Sequence, residues 1–265
     1  MTKQMMVLIG LFLFVFIRSV FVEPNSLDVT IYQIENAQLQ GITAAFLSDF
    51  HLKKSDGKRL DKIVKTVQKQ NPNIVFLGGD FAINKNYRSM MNMELVAMKL
   101  KQIKAPIYSV LGSQDWRCDG VKIAEALKSN GITVLENSRR RIILGGRYLD
   151  VIGLADLKTR TPDIARAMYR SSNPRIILTH NPDVYYSIAD NVTLILAGHT
   201  HGGQFNLPFV PPVFVPSKYA RDFASGLIKT GNNKMIVTKG LGTAILPVRL
   251  NCKPEIVIIR FTRPR

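Results

Sequence analysis

The chain has 265 residues, of which 46% are hydrophobic and 21% charged, as expected for a globular protein with a sizeable core, and no linker divides it into two halves. Cys118 and Cys252 are too few and too far apart for a disulfide framework or a zinc ribbon, so two free buried thiols are favoured over one bridge. The formal net charge of +17 favours anionic lipid surfaces, phosphorylated substrates or nucleic acid as partners, although a solvated basic surface that only aids solubility is an equal alternative.

The N-terminus carries an almost unbroken apolar segment over residues 5–22, with Lys3 before it and Arg18 in its last third. About 20 apolar residues span the hydrocarbon core of a membrane. This segment therefore predicts a membrane anchor or uncleaved signal over residues 1–26, and a globular domain over residues 27–265. A cleaved signal peptide is the weaker alternative, since bulky rather than small residues follow the segment. Basic residues on both flanks leave the orientation open.

Apolar runs and amphipathic segments alternate over the rest of the chain, which is typical of an α/β fold. The spacing of apolar residues predicts helices at 55–70, 90–104, 118–130 and 183–189. Strands are predicted at 27–34, 42–48, 74–77, 106–111, 132–135, 141–144, 148–154, 175–179 and 192–197. Gly145 and Gly146 form the turn of a hairpin. The arginines at 139–141 indicate a solvated run, or a group that binds substrate if a phosphate site lies nearby.

Polar clusters follow five of these strands at their carboxyl ends, and each of the four histidines ends a strand-like run. The clusters are Asp49-Phe-His51, Gly79-Asp80, Gly112-Ser-Gln-Asp115, His180 and Gly198-His-Thr-His201. Each one alone is a weak signal, because Asp-x-His arises often by chance and Gly-Gly-Asp is equally a plain turn. If the strands are neighbours, their ends meet at one edge, and the imidazoles and carboxylates gathered there form a metal site.

In this order and combination, the clusters resemble the signature of the calcineurin-like metallophosphoesterases, and the resemblance covers residues 42–262. The segments His201-Gly-Gly-Gln204 and Lys239-Gly-Leu-Gly-Thr243, with Arg249, are similar to the bacterial membrane-associated branch of that family. The fold implied is a four-layer α/β/β/α sandwich with two packed mixed sheets, to which the N-terminal hydrophobic helix is added.

The resemblance implies two divalent metal ions, and manganese, iron and zinc all suit a mixed carboxylate and imidazole set. The first ion would be bound by Asp49, His51, Asp80 and His201. The second would be bound by Asp80, Ser113, His180 and His199, so that Asp80 bridges the two. Such a pair activates a hydroxide for in-line attack on phosphorus.

The chain departs from the family pattern at Ser113 and Gln114, where the family has Asn and His. A serine hydroxyl is a poorer neutral ligand than the asparagine carbonyl. The family His is assigned to protonation of the leaving group or to stabilisation of the transition state, and Gln114 cannot give up a proton near neutral pH, although it can donate a hydrogen bond to a phosphoryl oxygen. Catalysis by Gln114 and Asp80 is therefore either slow or directed at a leaving group that needs no acid, such as a phosphate.

The UDP-2,3-diacylglucosamine pyrophosphatases of lipid A synthesis, which belong to this family, replace the same His with Arg followed by Asp and an aromatic residue. Gln114-Asp115-Trp116 is similar in type. An anchor, a basic surface and the apolar loop at 205–215 suit a lipid-linked phosphate substrate. Ordinary packing of the loop over the edge of the sheet is an equal alternative.

We therefore expect a metal-dependent phosphoesterase that cleaves a phosphodiester or pyrophosphate bond at a membrane surface, the bacterial inner membrane, with the side undetermined. A catalytically weakened binding or scaffolding homologue is the first alternative, because of Ser113 and Gln114. A nuclease is the second. Nucleic acid is the less favoured partner, because nucleases of this family generally lack an N-terminal anchor. The oligomeric state stays open.

Overall fold

The computed structural model describes residues 2–83, 86–189, 191–207, 210, 212, 214–230, 233–244 and 246–264. Within them, six strands form a first sheet: β1 (Asp28–Glu35), β2 (Thr43–Leu47), β3 (Ile74–Leu77), β4 (Ile107–Ser109), β5 (Thr133–Val134) and β12 (Glu255–Thr262). A second sheet contains β6 (Ser138–Leu144), β7 (Arg147–Gly153), β8 (Arg175–Leu178), β9 (Leu194–Ala197), β10 (Gly226–Thr230) and β11 (Asn233–Val237). The described helices are α1 (Lys3–Ile17), α2 (Gly57–Lys69), α3 (Met93–Leu100), α4 (Ser113–Ser129) and α5 (Ile164–Met168).

Both sheets are mixed. The first has the order β1-β12-β2-β3-β4-β5, in which only the β12–β2 pair is antiparallel. The second has the order β10-β11-β9-β8-β7-β6, in which the outer pairs β10–β11 and β6–β7 are antiparallel. The central strands of the two sheets are therefore parallel, and each sheet directs several strand ends toward one edge.

Three apolar clusters divide the molecule into layers. One lies between the sheets and contains side chains of both, such as Phe46 and Phe76 opposite Ile176 and Leu194. Another packs the outer face of the first sheet against α2, α3 and α4, and a third packs the outer face of the second sheet against α5 and the turn at Pro182–Ser187. The expected four-layer α/β/β/α sandwich is confirmed.

Elements buried on one face were easier to predict from the sequence than elements buried on both faces. Helix α2 shows one apolar face, with Leu60, Ile63, Val64 and Val67 buried, and its position was predicted correctly. The hairpin at Gly145 and Gly146 is confirmed, and both glycines have the positive φ that such a tight turn requires. In contrast, β10, β11 and β12 were not predicted. Strand β12 lies inside the first sheet, and its nearly continuous apolar run shows no alternation to identify it.

Two predicted helices differ from the structure. The helix predicted at 183–189 is instead a 3-10 segment, Pro182–Ser187, whose start is capped by the Asn181 side chain. The helix predicted at 118–130 begins earlier, as α4, at Ser113. Its first turn is stabilised by Asp115, whose carboxylate accepts a hydrogen bond from the Gly112 N–H at 3.0 Å.

The arginines at 139–141 are not simply solvated. Arg139 and Arg141 form ion pairs with the buried Asp150 at 3.1 and 2.8 Å. The hydrogen bonds of these two arginines and of the Ser172 N–H lower the pKa of Asp150, against the effect of burial, which raises it. These two guanidinium groups therefore stabilise the second sheet through their ion pairs with Asp150.

The N-terminal apolar segment is helical from Lys3 to Asn25 and is long and apolar enough, by length and composition, to cross a membrane. No residue of α1 is buried, and Phe12 is 70% exposed. The end of the segment is nevertheless docked on the domain. The Ser19 carbonyl accepts a hydrogen bond from the Arg249 N–H at 2.9 Å, and the buried Glu23 carboxylate accepts one from the Cys252 N–H.

Candidate metal centre

Six acidic and imidazole side chains meet where the two sheets share an edge. Asp49 and His51 follow β2, and Asp80 follows β3, in the first sheet. His180 follows β8, while His199 and His201 follow β9, in the second sheet. Because the loops after parallel strands lie at the carboxyl edge of each sheet, packing the sheets face to face brings both sets together. All six side chains are buried.

The six side chains form two groups, Asp49 with His51 and His201, and Asp80 with His180 and His199. Within each group the potential ligand atoms lie within 4.8 Å of one another. In the first, His201 Nε2 lies 3.1 Å from His51 Nε2 and 3.5 Å from Asp49 Oδ1. In the second, His180 Nε2 lies 3.3 Å from Asp80 Oδ2 and 3.2 Å from His199 Nδ1. Asp80 Oδ2 is also 3.8 Å from His51 Nε2, so this carboxylate lies between the groups.

Hydrogen bonds to backbone carbonyls orient two of the imidazole rings. His51 Nδ1 lies 2.8 Å from the Ala82 carbonyl, and His180 Nδ1 lies 2.9 Å from the Gly78 carbonyl. Since a carbonyl only accepts, each Nδ1 carries a proton, and each Nε2 faces the carboxylates, the position from which a neutral ring binds a metal ion. His199 Nε2 and His201 Nδ1 are buried without a hydrogen-bond partner among the described residues. This set of converging acceptors fits divalent cations that prefer nitrogen and oxygen ligands.

Charge is distributed unevenly over the histidines. Burial lowers the pKa of His180, but the nearby Asp80 carboxylate outweighs it, and the pKa is raised to about 10. The pKa of Asp80 is lowered, because the charges of His180 and His51 and the Gln114 N–H outweigh burial. Burial and the charge of His180 lower the pKa of His199 to about 3. His199 is therefore neutral, the form in which imidazole binds a metal.

The backbone of the site is strained. Asp49, His51, Asp80, His199 and His201 all have φ between +43° and +72°, the left-handed region that non-glycine residues rarely adopt. Each such residue costs about 1–3 kcal/mol, so surrounding contacts must hold it. The loops after β2 and β3 hold each other: the Asp49 N–H donates to the Gly79 carbonyl at 2.9 Å, and the His51 N–H donates to the Asp80 carbonyl at 3.0 Å.

Asp115 fastens the start of α4 to these loops, a role that the sequence analysis did not assign. Its carboxylate accepts hydrogen bonds from the N–H groups of Asp80 at 2.8 Å, Ala82 at 2.9 Å and Gly112 at 3.0 Å. Burial beside Asp80 raises the pKa of Asp115 to about 7, although these donors act in the opposite direction. The only signal in the sequence was its place in the Gly112–Asp115 cluster.

Ser113 and Gln114 lie at the start of α4, beside the second group. Ser113 is buried and borders the cleft over the site. The Gln114 N–H donates to Asp80 Oδ1 at 2.8 Å, and its side chain also borders the cleft. The structure thus brings the predicted catalytic pair, Gln114 and Asp80, into direct contact. Six of the seven predicted metal ligands form the two groups, and the seventh, Ser113, borders the cleft above them.

A cleft of about 740 Å³ opens above the site and has two chemically different walls. One carries the basic residues Arg117 and Lys158. The other is apolar and contains Phe205, Phe214, Pro216, Ala244, Leu246 and Val248, which we call the apolar wall. Phe205 and Phe214 belong to the apolar loop at 205–215, of which residues 208, 209, 211 and 213 lie outside the described part.

Arg249 supports the site from beneath, which the sequence analysis also missed. Its fully buried guanidinium donates to the carbonyls of Lys239 at 2.8 Å, Gly240 at 3.1 Å and Cys252 at 2.9 Å. The segment it holds donates in turn from the Gly242 N–H to the Asp49 carbonyl. No carboxylate of the described residues pairs with Arg249. The sequence therefore offered no acidic partner from which its role could be predicted.

The cysteines are both free, and they differ in burial. Cys252 is buried and its thiol donates to the His201 carbonyl at 3.1 Å. Cys118 is only half-buried. Burial of the second thiol was therefore predicted correctly and burial of the first was not.

Two packed mixed sheets with such a donor set at their shared edge are the architecture of a metallophosphoesterase. The chain belongs to the calcineurin-like phosphoesterase family, whose pattern matches residues 42–203. It is thus a hydrolase of phosphoric esters, from a family that uses divalent metals.

Named relatives match most of the chain. The phosphodiesterase YaeI of Escherichia coli is 32% identical over 227 residues, which cover 82% of this chain and 80% of that protein. The uncharacterized metallophosphoesterase YkuE of Bacillus subtilis is 29% identical over 252 residues, with 90% and 86% coverage. A Danio rerio transmembrane protein with a metallophosphoesterase domain is 29% identical over 258 residues, with 89% and 57% coverage.

The packing at Gly112 gives a test of the site that leaves the ligands themselves intact. A Cβ at this position would lie 2.2 Å from Asp80 Oδ1 and 2.7 Å from His180 Nδ1. We expect Gly112→Ala to displace both side chains and to lower metal affinity by about 10–100-fold, the usual cost of disturbing groups that orient ligands. Metal titration, with the fold monitored by circular dichroism, measures this.

Gly57→Ala is the matched control, because its new Cβ would meet only Met91 Cε, at 3.9 Å. Equal metal affinity for Gly112→Ala and Gly57→Ala would contradict the arrangement described here.

Proposed function

We propose that this protein hydrolyses a phosphodiester or pyrophosphate bond with two divalent metal ions, and that it does so at a membrane surface. Asp49, His51 and His201 would hold one ion, and His180, His199 and Ser113 the other, with Asp80 shared. The observation that carries the proposal is the convergence of four imidazoles and two carboxylates from both sheets on one buried volume, a set of ligands that divalent cations prefer. Manganese, iron and zinc all suit this set.

The ions would neutralise the charge that develops on the phosphoryl oxygens and make water a better nucleophile. The protein's own groups orient the substrate. Gln114 is positioned by the hydrogen bond between its N–H and Asp80, and its side-chain amide can donate to a phosphoryl oxygen. It cannot protonate a leaving group. The site therefore favours substrates whose leaving group is stable as an anion.

The membrane part of the proposal rests on the N-terminal helix and the cleft. Residues 1–26 would anchor the phosphoesterase domain, residues 27–265, at the bacterial inner membrane. The chain beside the apolar wall is linked to the end of the helix through residues 250 and 251: the Asn206 N–H donates to the Leu250 carbonyl at 2.8 Å, and Arg18 donates to Asn251 at 3.5 Å. A lipid-linked phosphate such as UDP-2,3-diacylglucosamine would place its chains against this wall. The side of the membrane stays open.

A second candidate function is a metal-binding scaffold that has lost catalysis. It is favoured by Ser113 and Gln114, which stand where the family has its asparagine ligand and its histidine.

Metal dependence is tested first. The Asp80→Ala variant removes the carboxylate that lies between the two ligand groups, so we expect loss of bound metal and a fall in kcat/KM of at least about 1000-fold, as for removal of a group with a central electrostatic role. Metal content and hydrolysis of bis(4-nitrophenyl) phosphate measure both. Asp222→Ala, at an exposed aspartate, is the control. Turnover that survives Asp80→Ala would rule out the proposed mechanism.

Restoring the family residues separates enzyme from scaffold. For an enzyme that lacks a general acid, we expect the Ser113→Asn, Gln114→His double variant to accelerate hydrolysis of an alkyl diester by about 100-fold, because an alkoxide needs a proton. Hydrolysis of an aryl diester should change less, because an aryl oxide leaves without one. If the native protein turns over no ester while the double variant does, the scaffold is the correct function.

The apolar wall is tested by substrate comparison. Phe214 is 60% and Leu246 61% exposed. We expect Phe214→Ser with Leu246→Ser to lower kcat/KM by about 10-fold or more for a lipid-linked diphosphate in mixed micelles, since each exposed apolar side chain contributes about 1–2 kcal/mol when a ligand covers it. Val121→Ser, at an exposed position of α4, is the control. Equal losses for lipid-linked and soluble substrates would contradict the role of this wall.

A further inference from the structure

We propose that Arg117 and Lys158 form a subsite for the leaving phosphate of a pyrophosphate-bonded substrate, so that positive charge replaces the missing general acid. This inference rests on the proposed function and deepens it, because it selects pyrophosphates over simple diesters.

The position of the two residues is the first observation. Both line the cleft together with Asp80 and Gln114. Arg117 comes three residues after Gln114 on α4, so the two side chains lie on the same face of the helix. They also lie in the first part of α4, before the break in its helical backbone at Asp119.

Among the described residues, neither cation forms an ion pair. The ion pairs between described residues are made by other basic side chains, such as Arg139 and Arg141 with Asp150. Arg117 and Lys158 have no carboxylate partner in the described part of the chain, and both are exposed to the cleft. Their charge is thus free to act on a ligand.

The turn that carries Lys158 is rigidly built. The buried Asp156 carboxylate accepts hydrogen bonds from the N–H groups of Lys158 at 3.1 Å and Thr159 at 2.9 Å, and from the Thr159 hydroxyl at 2.6 Å. The next residue, Arg160, stacks its guanidinium over the Trp116 ring at 4.5 Å. Trp116 directly precedes Arg117, so this stacking holds the turn against α4, and both cations line the same cleft.

A phosphate leaving group needs stabilisation of its negative charge rather than a proton. Water oxygen forms the new bond to the attacked phosphorus, and its proton is released to solvent. The bond from that phosphorus to the bridging oxygen breaks, and its electron pair stays on the bridging oxygen, which becomes a terminal oxygen of the leaving phosphate. A phosphate monoester has a second pKa of roughly 6, so it leaves as an anion near neutral pH. Two cations stabilise that developing charge, whereas an alkoxide would require an acid.

The experiment compares two soluble substrates with the full-length protein in detergent and Mn²⁺. UDP-glucose has a phosphate leaving group, and bis(4-nitrophenyl) phosphate has none. For Arg117→Gln and for Lys158→Gln, we expect the ratio of kcat/KM for UDP-glucose to that for the aryl diester to fall at least about 10-fold, as for loss of one charge-assisted contact. Arg117→Lys should recover part of the ratio. Arg170→Gln, at an exposed arginine outside the cleft, should leave it unchanged.

A second readout needs no turnover of the pyrophosphate. Inorganic phosphate inhibits the aryl diesterase by occupying the site, and its inhibition constant should rise at least about 5-fold in both glutamine variants. If the wild type is active but neither the substrate ratio nor the inhibition constant changes in these variants, the subsite is overturned and the proposed function stands. If the wild type hydrolyses neither substrate, the proposed function fails, and the subsite fails with it.

Discussion

Six ionisable side chains are held in one buried volume at the common edge of the two sheets, and the cost of burying them is the constraint on which the rest of the molecule depends. Asp80 Oδ2 lies 3.8 Å from His51 Nε2 and 3.3 Å from His180 Nε2, and both rings are fixed from behind by carbonyl groups. The left-handed backbone at five of these positions adds to the cost. The apolar clusters between and outside the two sheets provide the stability that offsets it.

Sequence periodicity and motif order predicted much of this arrangement, because the imidazoles and carboxylates come directly after strands whose ends must meet. The residues that hold those ligands were harder to see. Asp115 accepts hydrogen bonds from backbone N–H groups, and Arg249 donates to backbone carbonyls. Every residue has such backbone groups, so the sequence does not show which of them are the partners. Strand β12 was missed for a related reason, since burial on both faces removes the alternation that marks a half-exposed strand. Lys158 and Arg117 line the same cleft, and Arg160 stacks on Trp116 beside them, a contact between segments distant in the chain.

The substitutions at Ser113 and Gln114 gain a different meaning when the cleft is considered as a whole. Taken alone, they describe a family member with a weak ligand and no acid. Helix α4, which carries Gln114 in place of the family histidine, also carries Arg117 one turn later, and Lys158 lines the same cleft. The same cleft also contains the apolar wall. Under the proposed function, this combination would suit an amphiphilic diphosphate better than the substrates for which a histidine acid is needed.

The docking of the N-terminal helix has a geometric consequence. The Ser19 carbonyl and the Glu23 carboxylate bind the same short segment, Arg249 to Cys252, that touches His201 and the loop under Asp49. A helix fastened in this way is not a flexible tether, and the domain cannot swivel about it. If the helix is embedded in a bilayer, as proposed above, the direction in which the cleft faces and its height above the headgroups are set together. The distance from the plane of the lipid phosphates to the cleft would then restrict which substrates enter the site, independently of how well the same molecule fits from free solution.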